Sequence, residues 1–251
     1  MKPNLFYLNG FAVLIFLSSC NNRAEKGSTL ASHSQQISRD SAKVNGTPCD
    51  IQLSGIHFTK SINGADSLAT IDQDDNIVFR VGEKKDYFND PDGKLSNNTA
   101  PILLSRVDNT KPFTLVAKVT PEFTKEGMYD AGVLYIYIND SHWQKFCFEQ
   151  DERGHHRVVS VRTIGTSDDN NHDIIQGESV YMKISSDTRT VGFYFSVDKT
   201  NWTLARLYKN DYPSDIWMGL SAQCPVAKGA VSNFQDVSLV QTSIKDFRMG
   251  I

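Results

Sequence analysis

Chemically active side chains are concentrated in one strand-like run, residues 141–149, that follows a turn-forming Asn-Asp pair. Successive side chains of a strand point to opposite faces, so one face of this run is apolar and suits a core. The other face presents an indole, an ammonium and a carboxylate, from Trp143, Lys145 and Glu149. An indole can lie against a sugar ring while its N–H donates a hydrogen bond, so this face predicts a site for a sugar or another polar ligand. The alternative is a solvated outer face with a partly buried Trp143.

Four further residues are candidates for the same site. Asp86 and Tyr87 would bring a carboxylate and a phenol to it from another strand, or they mark the end of a hairpin. Arg162 and Tyr194 stand on the polar faces of two other strand-like runs. The sequence leaves open whether these two line the ligand site or are only exposed. In the ligand-binding interpretation, the polar groups exchange hydrogen bonds with the hydroxyl groups of the sugar.

The acidic run Glu149, Asp151 and Glu152 is the nearest approach to a glycosidase motif. Retaining hydrolysis needs two carboxyl groups about 5 Å apart, which must share one face of a strand. Glu149 and Asp151 share a face but Glu152 points away, so a third carboxylate is missing. The chain has neither a G-x-S-x-G motif nor a phosphate-binding G-x-x-x-x-G-K motif. We therefore predict no catalytic residue, and keep a polysaccharide hydrolase or lyase, with Glu149 as acid or base, as the alternative function.

The polar tract 168–173, with sequence DDNNHD, predicts a hydrated loop. Clustered oxygen atoms are the ligands that Ca²⁺ prefers, but the tract lacks the residue order of an EF-hand. The chain also has no C-x-x-C spacing of the kind that zinc sites use. We therefore predict no metal site and no cofactor, with Ca²⁺ at this loop as the alternative.

Short β-rich runs must position these side chains, and they follow one another from about Pro48 to the end of the chain. The clearest are residues 77–81, 113–119, 158–163, 180–184, 191–197 and 237–240. Turn residues separate them, and no long helical periodicity occurs. This pattern predicts a single all-β sandwich domain over residues 48–251.

The order of these runs resembles a family of concanavalin A-like domains, often labelled "regulation of enolase protein 1" or a domain of unknown function. The resemblance is carried by residues 85–88, 129–132, 142–146 with Glu149, 161–163, 167–168, 198–202 and 218–222. It implies a jelly-roll sandwich of two curved antiparallel sheets with a concave face. Similar domains accompany glycoside hydrolase modules, so the resemblance implies a carbohydrate or other glycan as the ligand of that face.

The first twenty residues have the layout of a secretory signal peptide. Lys2 is followed by an apolar run, residues 11–17, which ends in Ser18, Ser19 and Cys20. Leu-Ser-Ser-Cys resembles the lipobox of bacterial lipoproteins, which implies lipidation at Cys20. The alternative is an ordinary signal peptide with an incidental cysteine. Residues 21–47 are polar and small, and predict a disordered tether.

Charge and composition narrow the partners. The net charge is −3, with cationic and acidic residues dispersed, so no basic face predicts binding to nucleic acid. The sequence thus predicts an exported protein, anchored by lipid to a membrane of the cell envelope on its periplasmic side or at the cell surface, that binds carbohydrate. A structural or protein-interaction module of the envelope is a third possibility.

Overall fold

The computed structural model describes residues 44–251. Two antiparallel sheets pack face to face, which confirms the predicted all-β jelly-roll sandwich. The predicted signal peptide, residues 1–20, lies outside the described residues, as does the predicted tether up to residue 43. Thr47, which the prediction assigned to the tether, is the first residue of a strand.

Seventeen strands and one short helix follow in chain order. They are β1 (Thr47–Leu53), β2 (Ile56–Ile62), α1 (Ala65–Leu68), β3 (Ala69–Ile71), β4 (Ile77–Gly82), β5 (Tyr87–Asn89), β6 (Ser96–Asn98), β7 (Ile102–Asp108), β8 (Phe113–Pro121), β9 (Ala131–Asn139), β10 (His142–Gln150), β11 (His156–Ile164), β12 (Thr166–Ile174), β13 (Val180–Ser186), β14 (Thr190–Ser196), β15 (Thr203–Lys209), β16 (Asp215–Gln223) and β17 (Gly229–Val240).

The first sheet has eight strands in the order β1-β2-β7-β16-β9-β10-β11-β12. The second sheet has seven, in the order β15-β14-β13-β8-β17-β4-β3. Strands β5 and β6 form a separate two-stranded sheet. No helix within residues 44–251 has the length and apolar character needed to cross a membrane. Cys49, Cys147 and Cys224 are free thiols.

The core between the two sheets comes from the alternation of apolar residues along the strands. Phe146 and Phe148 of β10 point into it, opposite Phe193 of β14 and Phe234 of β17. Burial of one such side chain stabilises the fold by about 1.5–3 kcal/mol before the loss of conformational entropy is subtracted. The alternating side chains of β10, Trp143, Lys145, Cys147 and Glu149, therefore emerge on the outer face of the first sheet, as the sequence predicted.

An additional segment of chain crosses this outer face. Residues 83–100, here called the roof segment, carry β5 and β6 over the first sheet. The Tyr87 ring packs edge to face on Tyr135, Tyr137 and Trp143, with centroids 6.2, 6.2 and 5.6 Å away. Further along, the Asn89 backbone N–H donates to the Ser167 hydroxyl at 3.0 Å. The roof segment closes part of the outer face and leaves a cavity at one end.

Candidate functional site

That cavity, here called the lysine pocket, has a volume of about 440 Å³ and opens beside Lys145. The roof segment forms one wall, strands β10, β11 and β12 form the floor, and the turn after β16 forms the opposite wall. The lining residues used below are Asp86, Phe88, Tyr129, Lys145, Glu149, Glu152, Asp169 and Gln223. Its size lies within the range of small-molecule sites.

Lys145 is buried at the base of the lysine pocket and is held by two acceptors. Its ammonium donates to Gln223 Oε1 at 3.0 Å and to Asp86 Oδ1 at 3.3 Å. Burial alone would lower the pKa of Lys145, but the carboxylates around it, Asp86 foremost, outweigh burial and raise it. Asp86 also accepts a hydrogen bond from the Asn97 amide at 3.3 Å. Lys145 is therefore a fixed positive charge that joins the first sheet to the roof segment.

Glu149 lies four residues along β10 from Lys145, about 13 Å away between Cα atoms in an extended strand. Its side chain faces the lysine pocket, and the residue is only 8% exposed. No hydrogen bond from residues 44–251 reaches its carboxyl group. Burial raises its pKa to about 8, although Lys145 opposes the shift. At neutral pH, Glu149 therefore keeps its proton, which an ordinary glutamate has lost.

Asp169 reaches the pocket because of the register of three strands. Lys145 of β10 lies opposite Val161 of β11, which lies opposite Asp169 of β12. Directly opposed residues share a face, so Asp169 joins Lys145 and Glu149 in the pocket. The predicted loop over 168–173 was wrong, because these residues belong to strand β12. As an edge strand, β12 needs no apolar side chains to hold its place.

Two predicted ligand contacts on this face are covered by protein. Trp143 is fully buried beneath Tyr87, and its indole N–H donates to the Asp140 carbonyl at 3.3 Å. Tyr87 itself is 1% exposed. The predicted stacking role of Trp143 is therefore wrong in this structure, because the roof segment occupies the space that a sugar would need. Tyr87 is part of that covering layer rather than a contact of the pocket.

The two remaining predicted contacts lie away from the pocket. Arg162 neighbours Val161 in β11, so it points to the opposite face, where its guanidinium reaches Asp211 at 3.3 Å. Tyr194 belongs to the second sheet, on its outer face, and its hydroxyl donates to the Phe247 carbonyl at 2.7 Å. Both predicted contacts lie outside the pocket, Arg162 because alternate side chains of β11 point to opposite faces and Tyr194 because it belongs to the other sheet. Of the predicted contacts, the structure brings together only Asp86, Lys145 and Glu149.

The aromatic side chains that do line the lysine pocket are Phe88 and Tyr129. The Phe88 centroid is 5.8 Å from the Lys145 ammonium. Tyr129 is exposed and has φ +66°, a left-handed conformation that bulky side chains rarely adopt. Neither residue is among the ligand contacts predicted from the sequence. The local sequence around Phe88 and Tyr129 resembles that of aromatic residues in other strands, so it could not identify them as residues of the pocket.

Metal binding has no support at this site. Within the described part of the chain, no group of three or more His, Cys, Asp or Glu side chains comes together in a way that could hold a metal ion. Hydrogen bonding, charge and aromatic contact are thus the interactions that the lysine pocket offers.

Comparison with known proteins agrees with this architecture. A curated relative, "Regulation of enolase protein 1" of Saccharomyces cerevisiae, is 25% identical over 166 residues, which cover 65% of this chain and 80% of that protein. A solved structure of a functionally unknown protein from the same yeast has a TM-score of 0.65 at 22% identity, and the match covers 74% of this chain and 97% of that chain.

A larger protein contains a similar fold. The GH43 protein BlXynB of Bacillus licheniformis matches with a TM-score of 0.57 at 13% identity, over 77% of this chain and 38% of that chain. The family described as "Protein of unknown function (DUF1349)" matches residues 64–242. Since the match covers most of the chain, the chain belongs to this DUF1349 family.

Proposed function

We propose that the chain binds a carbohydrate in the lysine pocket. The observation that carries this proposal is the combination of two accessible aromatic side chains, Phe88 and Tyr129, with polar groups already fixed by their own hydrogen bonds. Aromatic rings suit the apolar faces of sugars, while fixed donors and acceptors suit hydroxyl groups. The similarity of fold to a GH43 glycoside hydrolase makes saccharides the first ligand class to test.

A glycan array with the purified full chain tests the proposal, followed by calorimetry on the glycans retained. Phe88→Ala should weaken binding about tenfold, or about 1.4 kcal/mol, because it removes one stacking surface of the pocket. Tyr181→Ala, a half-buried aromatic on the second sheet, serves as the matched control and should bind normally. An array that retains no glycan, or full affinity in Phe88→Ala, would overturn the proposal.

A second candidate function is hydrolysis or elimination on a polysaccharide with Glu149 as the acid or base. It is favoured by the burial of Glu149 in the floor of the lysine pocket, which raises its pKa to about 8, since a general acid must hold its proton at the working pH. Incubation of each bound glycan with the full chain should then release reducing ends or unsaturated products, and Glu149→Gln should abolish the release. Binding without any product would leave the carbohydrate-binding function alone.

We also propose that the chain is exported and held at a membrane of the cell envelope through a lipid on Cys20. The support is the sequence of residues 11–20 and its resemblance to a lipobox. Metabolic labelling with a fatty-acid analogue should mark the wild-type protein in bacterial membranes but not Cys20→Ser. Equal labelling of the two proteins would contradict the anchor.

A further inference from the structure

We propose that the carboxylate-rich end of the lysine pocket receives an ammonium group of the ligand, so that the protein prefers saccharides with free amino groups over their N-acetylated counterparts. This inference rests on the proposed function, since it specifies the class of saccharide bound at the same site. It follows from the balance of charges in the pocket and from the position of one buried side chain.

The pocket holds more acidic than basic groups. Carboxyl groups from Asp86, Glu149, Glu152 and Asp169 line it, whereas Lys145 is its one lining cation. The Lys145 ammonium is already engaged by Asp86 and Gln223, at 3.3 and 3.0 Å. The Lys145 ammonium therefore balances the charge of Asp86 in the roof segment. The end of the pocket near Glu149 keeps more carboxyl groups than cations.

The ammonium group of the ligand would lie beside Glu149. It is more than nine-tenths buried, it lines the pocket, and within residues 44–251 its carboxyl group has no hydrogen-bond partner. Because no group of residues 44–251 occupies its carboxyl oxygens, a ligand donor at that position would meet no competing hydrogen bond. An ammonium group supplies both a donor and the missing positive charge.

The groups that face Glu149 from neighbouring elements reinforce this polarity. Lys145 on the same strand is the cation among them, while Asp169 of β12, Asp86 of the roof segment and Asp151 after β10 all raise the Glu149 pKa. Asp151 is itself paired with Arg157 at 2.9 Å, so it does not compete for a ligand. A positive group would thus be attracted by Asp169 and Asp86, and beside Glu149 it would lower the pKa of that carboxyl group, so that Glu149 releases its proton to solvent and pairs with the ligand as a carboxylate.

Paired ligands test the inference directly. The full chain is titrated at pH 7 with the β-1,4-linked tetramer of glucosamine and, separately, with the tetramer of N-acetylglucosamine. We expect the amino tetramer to bind at least about tenfold more tightly, and its affinity to fall several-fold between 0.05 and 0.5 M salt. The affinity of the acetylated tetramer should depend little on salt, because it carries no charge.

Single-residue variants test whether Glu149 causes the difference in affinity between the two tetramers. Glu149→Gln keeps the shape of the side chain but cannot lose a proton to form the carboxylate that pairs with the ammonium group, so the ratio of the two affinities should fall toward one. Glu178→Gln, an exposed carboxylate outside the pocket, is the matched control and should keep the wild-type ratio. An unchanged ratio in Glu149→Gln would overturn the assigned position of the ammonium group.

The possible outcomes distinguish failure of this inference from failure of the proposed carbohydrate-binding function. Equal or tighter binding of the acetylated tetramer overturns the inference and leaves carbohydrate binding in place. If neither tetramer binds but a neutral glycan is retained on the array, the inference is likewise overturned and carbohydrate binding remains in place. An array without any retained glycan and no binding of either tetramer overturns both.

Discussion

Tyr129 combines a strained backbone with an accessible ring at the mouth of the lysine pocket. A left-handed conformation costs a bulky residue on the order of 1–3 kcal/mol, and such strain is concentrated at functional sites. Its φ of +66° directs the side chain from the turn before β9 to the pocket. The backbone N–H of Tyr129 donates to the Gln150 carbonyl at 2.7 Å, which gives the turn a structural role, and contact of the ring with ligand would be a second role.

Tyr129→Asn should separate these two roles. Asn tolerates the left-handed region, so we expect the free energy of unfolding to rise by up to about 1 kcal/mol, while glycan affinity falls about tenfold. Urea unfolding and calorimetry measure the two quantities. Thr188→Asn, at φ +78° and away from the pocket, is the control that should gain stability without losing affinity. A Tyr129→Asn protein with unchanged affinity would remove Tyr129 from the binding surface.

At the scale of elements, the roof segment decides which side chains of β10 are accessible. Alternation along the strand correctly put Trp143, Lys145 and Glu149 on one face. It could not show that Tyr87 would cover Trp143, because β5 and β6 are three residues each and carry no periodic pattern. The position of Arg162 likewise depends on which residue lies opposite it in β10, and the pattern of one strand does not contain that information.

The ion pair between Lys145 and Asp86 joins the roof segment to the first sheet and should be costly to break. Lys145→Met leaves the buried Asp86 carboxylate without its cation, with the Asn97 amide as its remaining side-chain donor within residues 44–251, so we expect a loss of about 3–5 kcal/mol in the free energy of unfolding. The double variant Lys145→Met/Asp86→Asn should recover much of it, because the unpaired charge is gone.

Arg106→Met is the matched control for this pair. Arg106 contacts Asp215 at 2.8 Å on the surface, and the loss there should not exceed about 1 kcal/mol. Urea unfolding of the four proteins decides the matter. A loss in Lys145→Met as small as that in Arg106→Met would show that the roof segment is held by its aromatic contacts instead.

At the scale of the whole molecule, the sandwich was predictable because its two sheets follow the alternation of apolar residues. Runs such as 113–119 and 191–197 reappear as β8 and β14, with the core between them. The polar strand β12 was missed for the opposite physical reason, since an edge strand can be held by backbone hydrogen bonds with few buried side chains. The lysine pocket is formed by segments that are distant in sequence. The pattern of residues along one strand does not specify the tertiary contacts between such segments.

Stability should depend on pH with a maximum at about pH 4, the ordinary pKa of a carboxyl group, and should decline on both sides of it. Burial raises the pKa of Asp130 to about 6 and that of Glu149 to about 8, so their stabilising contribution is full at low pH and is lost as pH rises through those values. Asp151 behaves oppositely. Burial alone would raise its pKa, but N–H groups of His155 and Arg153 lower it to about 2, so stability is lost as pH falls toward that value.

Urea unfolding from pH 3 to pH 9 measures this dependence. Asp130→Asn/Glu149→Gln should flatten the decline on the alkaline side and leave the acid side unchanged. Asp187→Asn, at a half-buried carboxylate outside these clusters, should follow the wild-type curve above pH 6. An alkaline decline that survives in the double variant would assign it to other groups.

The polar edge strand β12 also affects how the molecule meets other molecules. Its unpaired backbone groups would invite another chain to add a strand, but side chains such as Asp168, Asn170 and Asp173 make that addition unfavourable. The same strand supplies Asp169 to the lysine pocket. Replacing this tract with a conventional apolar strand would thus promote aggregation and remove a carboxyl group of the lysine pocket at once, so resistance to self-association and the proposed recognition of saccharides depend on one stretch of nine residues.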